Sequence, residues 1–375
     1  MWTYAACLSL SLFLYFLITR KLKKQPVYFQ KNRGSAVTFD RVLLATLVSS
    51  LPLTIISGIR YSVGTDYWNT YYTSFYRILK GIKFDSFEFG YTLLIKGIQF
   101  FTDNVFVLFF LTSLIFGMFT FVAFYELSEN IPLSILLLFL FRYYFISMNT
   151  IRELIAIAIM TYALKYAFKK NPKKYFICFL TALSFHTSII LFLPVYFFDK
   201  IKINRRKFII LSIFKIIVMN AVYEILDIIL TGTKYGLLLN KYRVSGIKVS
   251  MFTVVLNIVL TLVAFGSYKN KKDDRKYQIM LNIQLVAALI SYMFRVIPLI
   301  ERVYWLYSFP IVISFPFFLE NIKSKIVKQC ICIGLCCTLA VIYIGYDILY
   351  LNDHGVLPYQ TIIGVEPVHF SGWVY

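Results

Sequence analysis

Stretches of about eighteen or more apolar residues recur along this chain, and nothing else in it constrains the fold as much. Each is long enough to cross about 30 Å of hydrocarbon as a helix. In lipid, only helices and closed barrels satisfy every backbone donor and acceptor. The period-two alternation of a barrel strand is absent, so the segments are helical. Only 15% of residues are charged and 59% are hydrophobic, against roughly 25% charged in a soluble domain. A soluble globule is excluded, because the apolar surface exceeds what one core hides. The expected fold is all-α: a polytopic transmembrane bundle of about ten spans, forming one integral membrane domain over residues 1–375. The spans are read at 2–19, 42–58, 105–125, 131–147, 151–168, 208–230, 250–268, 277–297, 303–320 and 329–346.

The formal charge of +21 would suggest nucleic acid in a soluble protein. Here the basic residues sit in short loops between apolar segments, which is the positive-inside pattern. No basic stripe with interleaved stacking residues lies outside the spans, so nucleic acid is not an expected partner. Residues 20–41, 169–174, 200–207, 269–276 and 323–328 are the basic loops, and all five are expected on the cytoplasmic side. That requires two segments not to cross. Residues 88–101 hold a lysine, a glutamine and two glycines, and read as an interfacial or re-entrant helix. Residues 175–198 lie between two basic loops and read as a re-entrant hairpin with His186 near its tip; the alternative is one tilted span. The N-terminus, the loops 59–87 and 231–249, the junctions 147–152 and 298–302, and the tail 347–375 then face outside. The first apolar segment lacks a basic lead and a small-residue cleavage site, and reads as a retained span.

Polar and reactive residues gather on that outer side. The loop Arg60-Tyr-Ser-Val-Gly64-Thr-Asp66-Tyr67-Trp68 joins an arginine, a glycine turn, a carboxylate and aromatic faces that suit sugar rings. Interfacial anchoring accounts for such aromatics equally well. Arg152 and Glu153 open one span, and Arg142 lies near the end of the one before. An arginine in a membrane segment is costly unless it faces a cavity or a partner, and a planar guanidinium is a natural clamp for diphosphate. The plainer reading of both is a paired or snorkelling arginine. His186 is a candidate proton acceptor, or a hydrogen-bonding contact between helices. Glu301 and Arg302 open a further span, and either pairs locally or serves a site. The six cysteines read as small hydrophobes, with no zinc-ligand spacing. No metal or cofactor is expected, and no nucleotide-binding motif is present. Taken alone, these residues suit an anionic, partly hydrophobic substrate approached from outside.

The chain resembles the EpsG family of bacterial exopolysaccharide proteins, a Wzy-like group. The resemblance is carried by Arg60-Tyr-Ser-Val-Gly64-Thr-Asp66-Tyr67, Glu88 with Gly90-Tyr91, Arg152, Phe185-His186-Thr-Ser188, Lys241-Tyr242, Arg302 and Pro358-Tyr359, over about residues 40–360. It implies a GT-C-like, metal-independent membrane glycosyltransferase of the bacterial cytoplasmic membrane, with its site facing outside. Such an enzyme moves a growing glycan from undecaprenyl diphosphate to a lipid-linked repeat unit. Chain-length regulators and a flippase are implied partners. Departure of the diphosphate needs positive charge, assigned to Arg152 and Arg302 with Arg60 next. Tyr67 and Tyr242 are further substrate-binding candidates. Asp66 is the first candidate for base and His186 the second. Competing readings are a flippase or transporter, another membrane transferase and a non-catalytic scaffold. An acyltransferase calls for a histidine paired with an acid, whereas Asp66 is far from His186 in sequence.

Overall fold

The computed structural model describes residues 1–20, 41–82, 87–203, 206–214, 225, 228–229, 231–232, 251–267, 274–293 and 300–365. The described residues are helical, with one isolated antiparallel bridge and no extended strand. In chain order the helices used below are α1 (Trp2–Thr19), α2 (Arg41–Gly58), α3 (Phe89–Gln99), α4 (Val105–Leu127), α5 (Ile131–Leu140), α6 (Ile151–Phe168), α7 (Pro172–Phe185), α8 (Met251–Gly266), α9 (Arg275–Met293) and α10 (Ile300–Ser308). Of the expected features, Tyr242 and the end of the tail beyond residue 365 lie outside the described residues, as do most of the span 208–230 and of the loop 231–249.

Among the described residues, five helices are long and apolar enough to cross a membrane: Trp2–Thr19, Arg41–Gly58, Val105–Leu127, Ile300–Glu320 and Lys325–Tyr350. The protein is a helical membrane protein. Only 11% of α1 is buried, and the same share of the most apolar eighteen-residue stretch of Lys325–Tyr350. Trp2, Phe13, Val341 and Tyr350 stand largely exposed on them, an apolar outer surface suited to lipid rather than water.

One expected element differs in detail and another agrees. The span read at 131–147 is not one helix. α5 ends at Leu140, and Arg142 takes a left-handed backbone with φ 66°. Ten residues reach only about 15 Å. The segment 88–101, expected not to cross, holds the eleven-residue α3, which at 1.5 Å per residue is far short of a crossing.

The contacts gather into two compact units, Met1–Tyr162 with Cys178–Thr187 and Cys330–Tyr375, and Ala163–Ile177 with Ser188–Gln329. In the first, α2 packs against both α1 and α4. Small residues bring these backbones together, as membrane helices require when lipid is as apolar as leucine. A Cβ at Gly58 would stand 3.0 Å from the Phe110 Cα, and one at Gly117 would stand 2.4 Å from the Thr54 hydroxyl. Ser113 donates to the Ser57 hydroxyl at 3.0 Å, and Ser11 to the Ser49 carbonyl at 2.5 Å.

In the second unit α9 packs on α8 and α10. Buried amides link them: Asn257 donates to the Tyr304 hydroxyl at 2.8 Å, and Gln284 to the Asn257 side chain at 3.3 Å. Arg275 pairs with Asp199 and donates to the Tyr196 and Ala167 carbonyls. The Tyr175 hydroxyl reaches the Phe192 carbonyl at 3.1 Å, and the Tyr175 and Tyr196 rings lie 5.3 Å apart. The chain therefore doubles back between these residues. α7 forms the first arm and the 3-10 stretch Thr187–Lys200 the second.

Candidate functional site

In the first unit, three short-range structural events bring charge to one place. α6 starts at Ile151, so Arg152 and Glu153 lie in its first turn. The first amide of that turn has no intrahelical partner, and the Tyr71 hydroxyl accepts it at 2.9 Å. α7 ends where the His186 amide closes on the Ala182 carbonyl at 3.0 Å. α3 starts after Glu88, whose backbone is extended and whose carboxylate makes no bond to its own helix. An N-cap side chain ordinarily turns back to its helix; this one reaches outward.

That carboxylate is shared. Oε2 of Glu88 pairs with Nη1 of Arg152. Oε1 lies 2.8 Å from Nδ1 of His186 and accepts the Thr187 amide at 3.2 Å. On the other side of the imidazole, Nε2 lies 3.5 Å from Oε2 of Glu153. The four ionisable side chains are between 3% and 15% exposed, where pairing replaces the lost solvation. Burial pushes the Glu88 carboxyl up, but the His186 hydrogen bond and the Arg152 charge win and hold it at about 2. The Arg152 guanidinium also lies 4.4 Å from the centre of the Phe87 ring, a favourable cation–π contact.

Gly90 makes this geometry accessible. A Cβ there would stand 2.2 Å from the Ser184 hydroxyl and 2.8 Å from its carbonyl oxygen. Only glycine lets the start of α3 approach the end of α7 so closely, and that approach brings Glu88 within reach of His186.

Asp66 belongs to the adjoining loop. It precedes a π-helical turn, Tyr67–Tyr72, and its carbonyl accepts the Thr70 and Tyr71 amides at 3.2 Å each. Tyr71 lies between Asp66 and Arg152 electrostatically. Burial lifts its hydroxyl to about 12, with Arg152 drawing it down and Asp66 pushing it up. The loop is held by Asn149. Its Oδ1 accepts the Thr65 hydroxyl at 3.0 Å and the Asp66 amide at 3.4 Å, and its Nδ2 donates to the His354 carbonyl at 2.9 Å. Gly64, at φ 106°, donates its amide to the Gly355 carbonyl at 2.9 Å. Further along, the Tyr61 amide bonds to Gln360 and the Ile362 amide to Ile59. The tail thus straps the Asp66 loop.

The other expected residues fall differently. Arg60 is 1% exposed. Its guanidinium donates to the Ser57 and Met148 carbonyls and lies 4.8 Å from the Phe109 ring centre. It satisfies the Ser57 carbonyl at the end of α2, where a cation also suits the helix dipole. Tyr67 is fully buried and stacks on Phe109 at 4.4 Å. Both residues stand behind Asp66 and brace its loop. Arg302 is exposed in the first turn of α10, in the other unit. The structure thus brings together Arg152 and His186, and adds Glu88, Glu153, Tyr71 and Asn149. Glu153 follows Arg152 directly, and Glu88 stands beside Gly90 and Tyr91 in the family-like segment. Neither position has a spacing that announces a contact with His186.

A second cluster closes the tail. Arg142 pairs with Asp347 at 2.5 Å and with Asp353 at 3.4 Å, and lies 4.3 Å from the Tyr343 ring centre. His354 is buried beside it, and burial together with the Arg142 charge lowers its pKa to about 4.

A family model described as the EpsG family matches residues 43–361, most of the chain. No curated protein and no solved structure matches it.

Proposed function

Starting from the EpsG family, to which this chain belongs, we propose that it is a polysaccharide polymerase that extends a glycan carried on a lipid diphosphate. The carrier is undecaprenyl diphosphate, and the reaction takes place on the outer face of the bacterial cytoplasmic membrane. The observation that carries this reading is Arg152, fixed beside two carboxylates and an imidazole in a largely buried cluster of a family member. The topology proposed with it has about ten spans in a GT-C-like arrangement, α3 at the outer interface and the α7 hairpin re-entrant.

In this reaction a hydroxyl oxygen of the acceptor unit attacks the anomeric carbon of the donor glycan. The bond from that carbon to the diphosphate oxygen breaks, and the lipid diphosphate leaves with the electron pair. The hydroxyl proton passes to a base. Arg152 stabilises the negative charge developing on the leaving group, the kind of interaction that is stronger in the transition state than before it. Asp66 is assigned as the base, because it is part-exposed while both imidazole nitrogens of His186 face carboxylates. His186 positions Glu88 and Glu153 around Arg152. Arg60, Tyr67 and Asn149 hold the Asp66 loop. Arg302 and Tyr242 are proposed to contact glycan or diphosphate. A flippase and a chain-length regulator are proposed partners.

The test is polymerisation by purified protein with lipid-diphosphate-linked repeat units. Arg152→Gln, Asp66→Asn and His186→Ala should each shorten the product to few or single repeats, with losses of about 10²-fold or more. Normal chain lengths from all three variants would remove this site. A membrane acyltransferase is the second reading, because His186 is paired with acids, as that chemistry requires. Transfer from an acyl donor, with no glycan extension, would favour it.

A further inference from the structure

The mechanism above needs Arg152 on a diphosphate, yet Arg152 is already engaged by Glu88. Three observations show that this engagement is a built arrangement and not a chance surface pair. Glu88 leaves its own helix uncapped in order to reach Arg152 and His186. Gly90 permits an approach to Ser184 that no other side chain would. The guanidinium lies against the Phe87 ring, while its neighbour Tyr91 is fully buried with a hydroxyl that bonds to no protein atom. A cation in such a place carries an anion at all times, because an uncompensated buried charge is costly.

We propose that Glu88 is an internal stand-in for the diphosphate: its Oε2 occupies the Arg152 position that the substrate anion takes, and it exchanges with that anion on binding and release. The idea rests on Arg152 being the diphosphate clamp. The two oxygens of Glu88 have different partners, which makes the exchange local. Oε2 is released from Arg152, while Oε1 stays on His186 Nδ1 and the Thr187 amide. The carboxylate therefore keeps hydrogen bonds while the guanidinium is on phosphate. After the glycan has been transferred, Glu88 returns to Arg152 and helps to expel the lipid diphosphate. Glu88 is thus a positioning residue that weakens ground-state binding of both donor and product. Its removal should lower KM and kcat together, because product leaves slowly. A residue that merely supports the fold would not tighten binding.

The probe is inorganic pyrophosphate, titrated against purified full-length protein in detergent by calorimetry at constant ionic strength. Glu88→Gln should bind pyrophosphate about tenfold tighter than the unsubstituted protein, one decade in Kd. Arg152→Gln should lose this binding in both backgrounds. Glu88→Asp keeps the charge but is one methylene shorter, so it should also tighten binding. Should neither Glu88 variant fold, hydrogen exchange on the unsubstituted protein decides. Pyrophosphate should then raise exchange in residues 87–92 as the start of α3 loses Arg152. Equal or weaker binding by the folded Glu88 variants, or unchanged exchange where only that measurement is possible, would overturn the stand-in. These outcomes are separate from polymerisation: tighter pyrophosphate binding with no glycan extension would overturn the polymerase and leave the stand-in intact.

Discussion

Nδ1 of His186 lies 2.8 Å from Oε1 of Glu88, although 98 residues separate them in the chain. The contact is made by two chain ends of different helices, the start of α3 and the end of α7, and it depends on the absence of a side chain at Gly90. Gly90→Ala should therefore destabilise the protein by about 1–3 kcal/mol, the usual range for overpacking. Ser184→Gly in the same chain removes the hydroxyl and Cβ that the new methyl meets, leaving only the carbonyl oxygen at 2.8 Å. Thermal unfolding in detergent should show a partial recovery in the double variant. An additive double variant would show that the close approach is not what Gly90 provides.

Asn149 should matter for the Asp66 loop more than its position in a turn suggests. It is 3% exposed and bonds both to the loop and to the tail. Asn149→Ala leaves the buried bonds unmade, at a cost of about 1–3 kcal/mol. Asn149→Asp retains the acceptor for Thr65 but sets an oxygen against the His354 carbonyl. Limited proteolysis should then cut residues 352–362 faster in Asn149→Asp than in the unsubstituted protein. Equal cutting rates would detach Asn149 from the tail.

Arg142 and Asp347 should behave as one unit. Breaking a buried pair by removing one partner leaves a charge behind and costs about 3–5 kcal/mol when burial is complete. With 14% exposure on each side, about 2–3 kcal/mol is expected for Arg142→Gln. Adding Asp347→Asn should recover part of this, and a double-mutant cycle reads the coupling directly. A coupling near zero would mean that Asp353 alone balances Arg142.

His354 gives the tail a pH dependence of definite sign. Its pKa falls from 6.5 in the unfolded chain to about 4 in the fold, through burial and the neighbouring Arg142. Between these values the unfolded chain binds more protons, so stability rises with pH across that window. It is fully present above about pH 6.5, declines as pH falls and reaches its floor near 4. The full contribution is on the order of 3 kcal/mol. His354→Gln should flatten the drop in Tm between pH 7 and pH 5. Parallel curves for the two proteins would place the acid sensitivity elsewhere.

Much of this is legible in the amino-acid sequence. The apolar stretches dictate helices, because no other element is affordable in lipid for a chain without strand periodicity. The basic loops on both sides of 175–198 point to a segment that turns back, with one tilted span as the alternative, and Tyr175 meets Phe192 and Tyr196. The short, polar 88–101 could not be a crossing, and α3 is short. Arg152 and His186 were legible as costly residues in apolar surroundings. The carboxylates that accompany them were not, since Glu88 and Glu153 meet His186 through tertiary packing that leaves no periodic trace. The break at Arg142 was hidden for a related reason. No glycine or proline marks it, and Asp347, which pairs with the Arg142 side chain, lies more than 200 residues away in the chain. Arg60 looked like a ligand for anions because composition does not reveal whether a guanidinium points to a cavity or to carbonyls.

The strap between the tail and the Asp66 loop has a consequence for the order in which the protein is made. Residues 59–64 leave the ribosome well before their backbone partners at residues 355–362, which follow the apolar helix Lys325–Tyr350. Until those residues have emerged, the loop bearing Asp66 is anchored at its two ends and lacks the tail's bonds. A nascent chain inserted up to Tyr350 thus has its spans but not its finished loop. The loop that carries Asp66 therefore gains its full set of backbone bonds only once residues 355–362 have emerged and folded back on it.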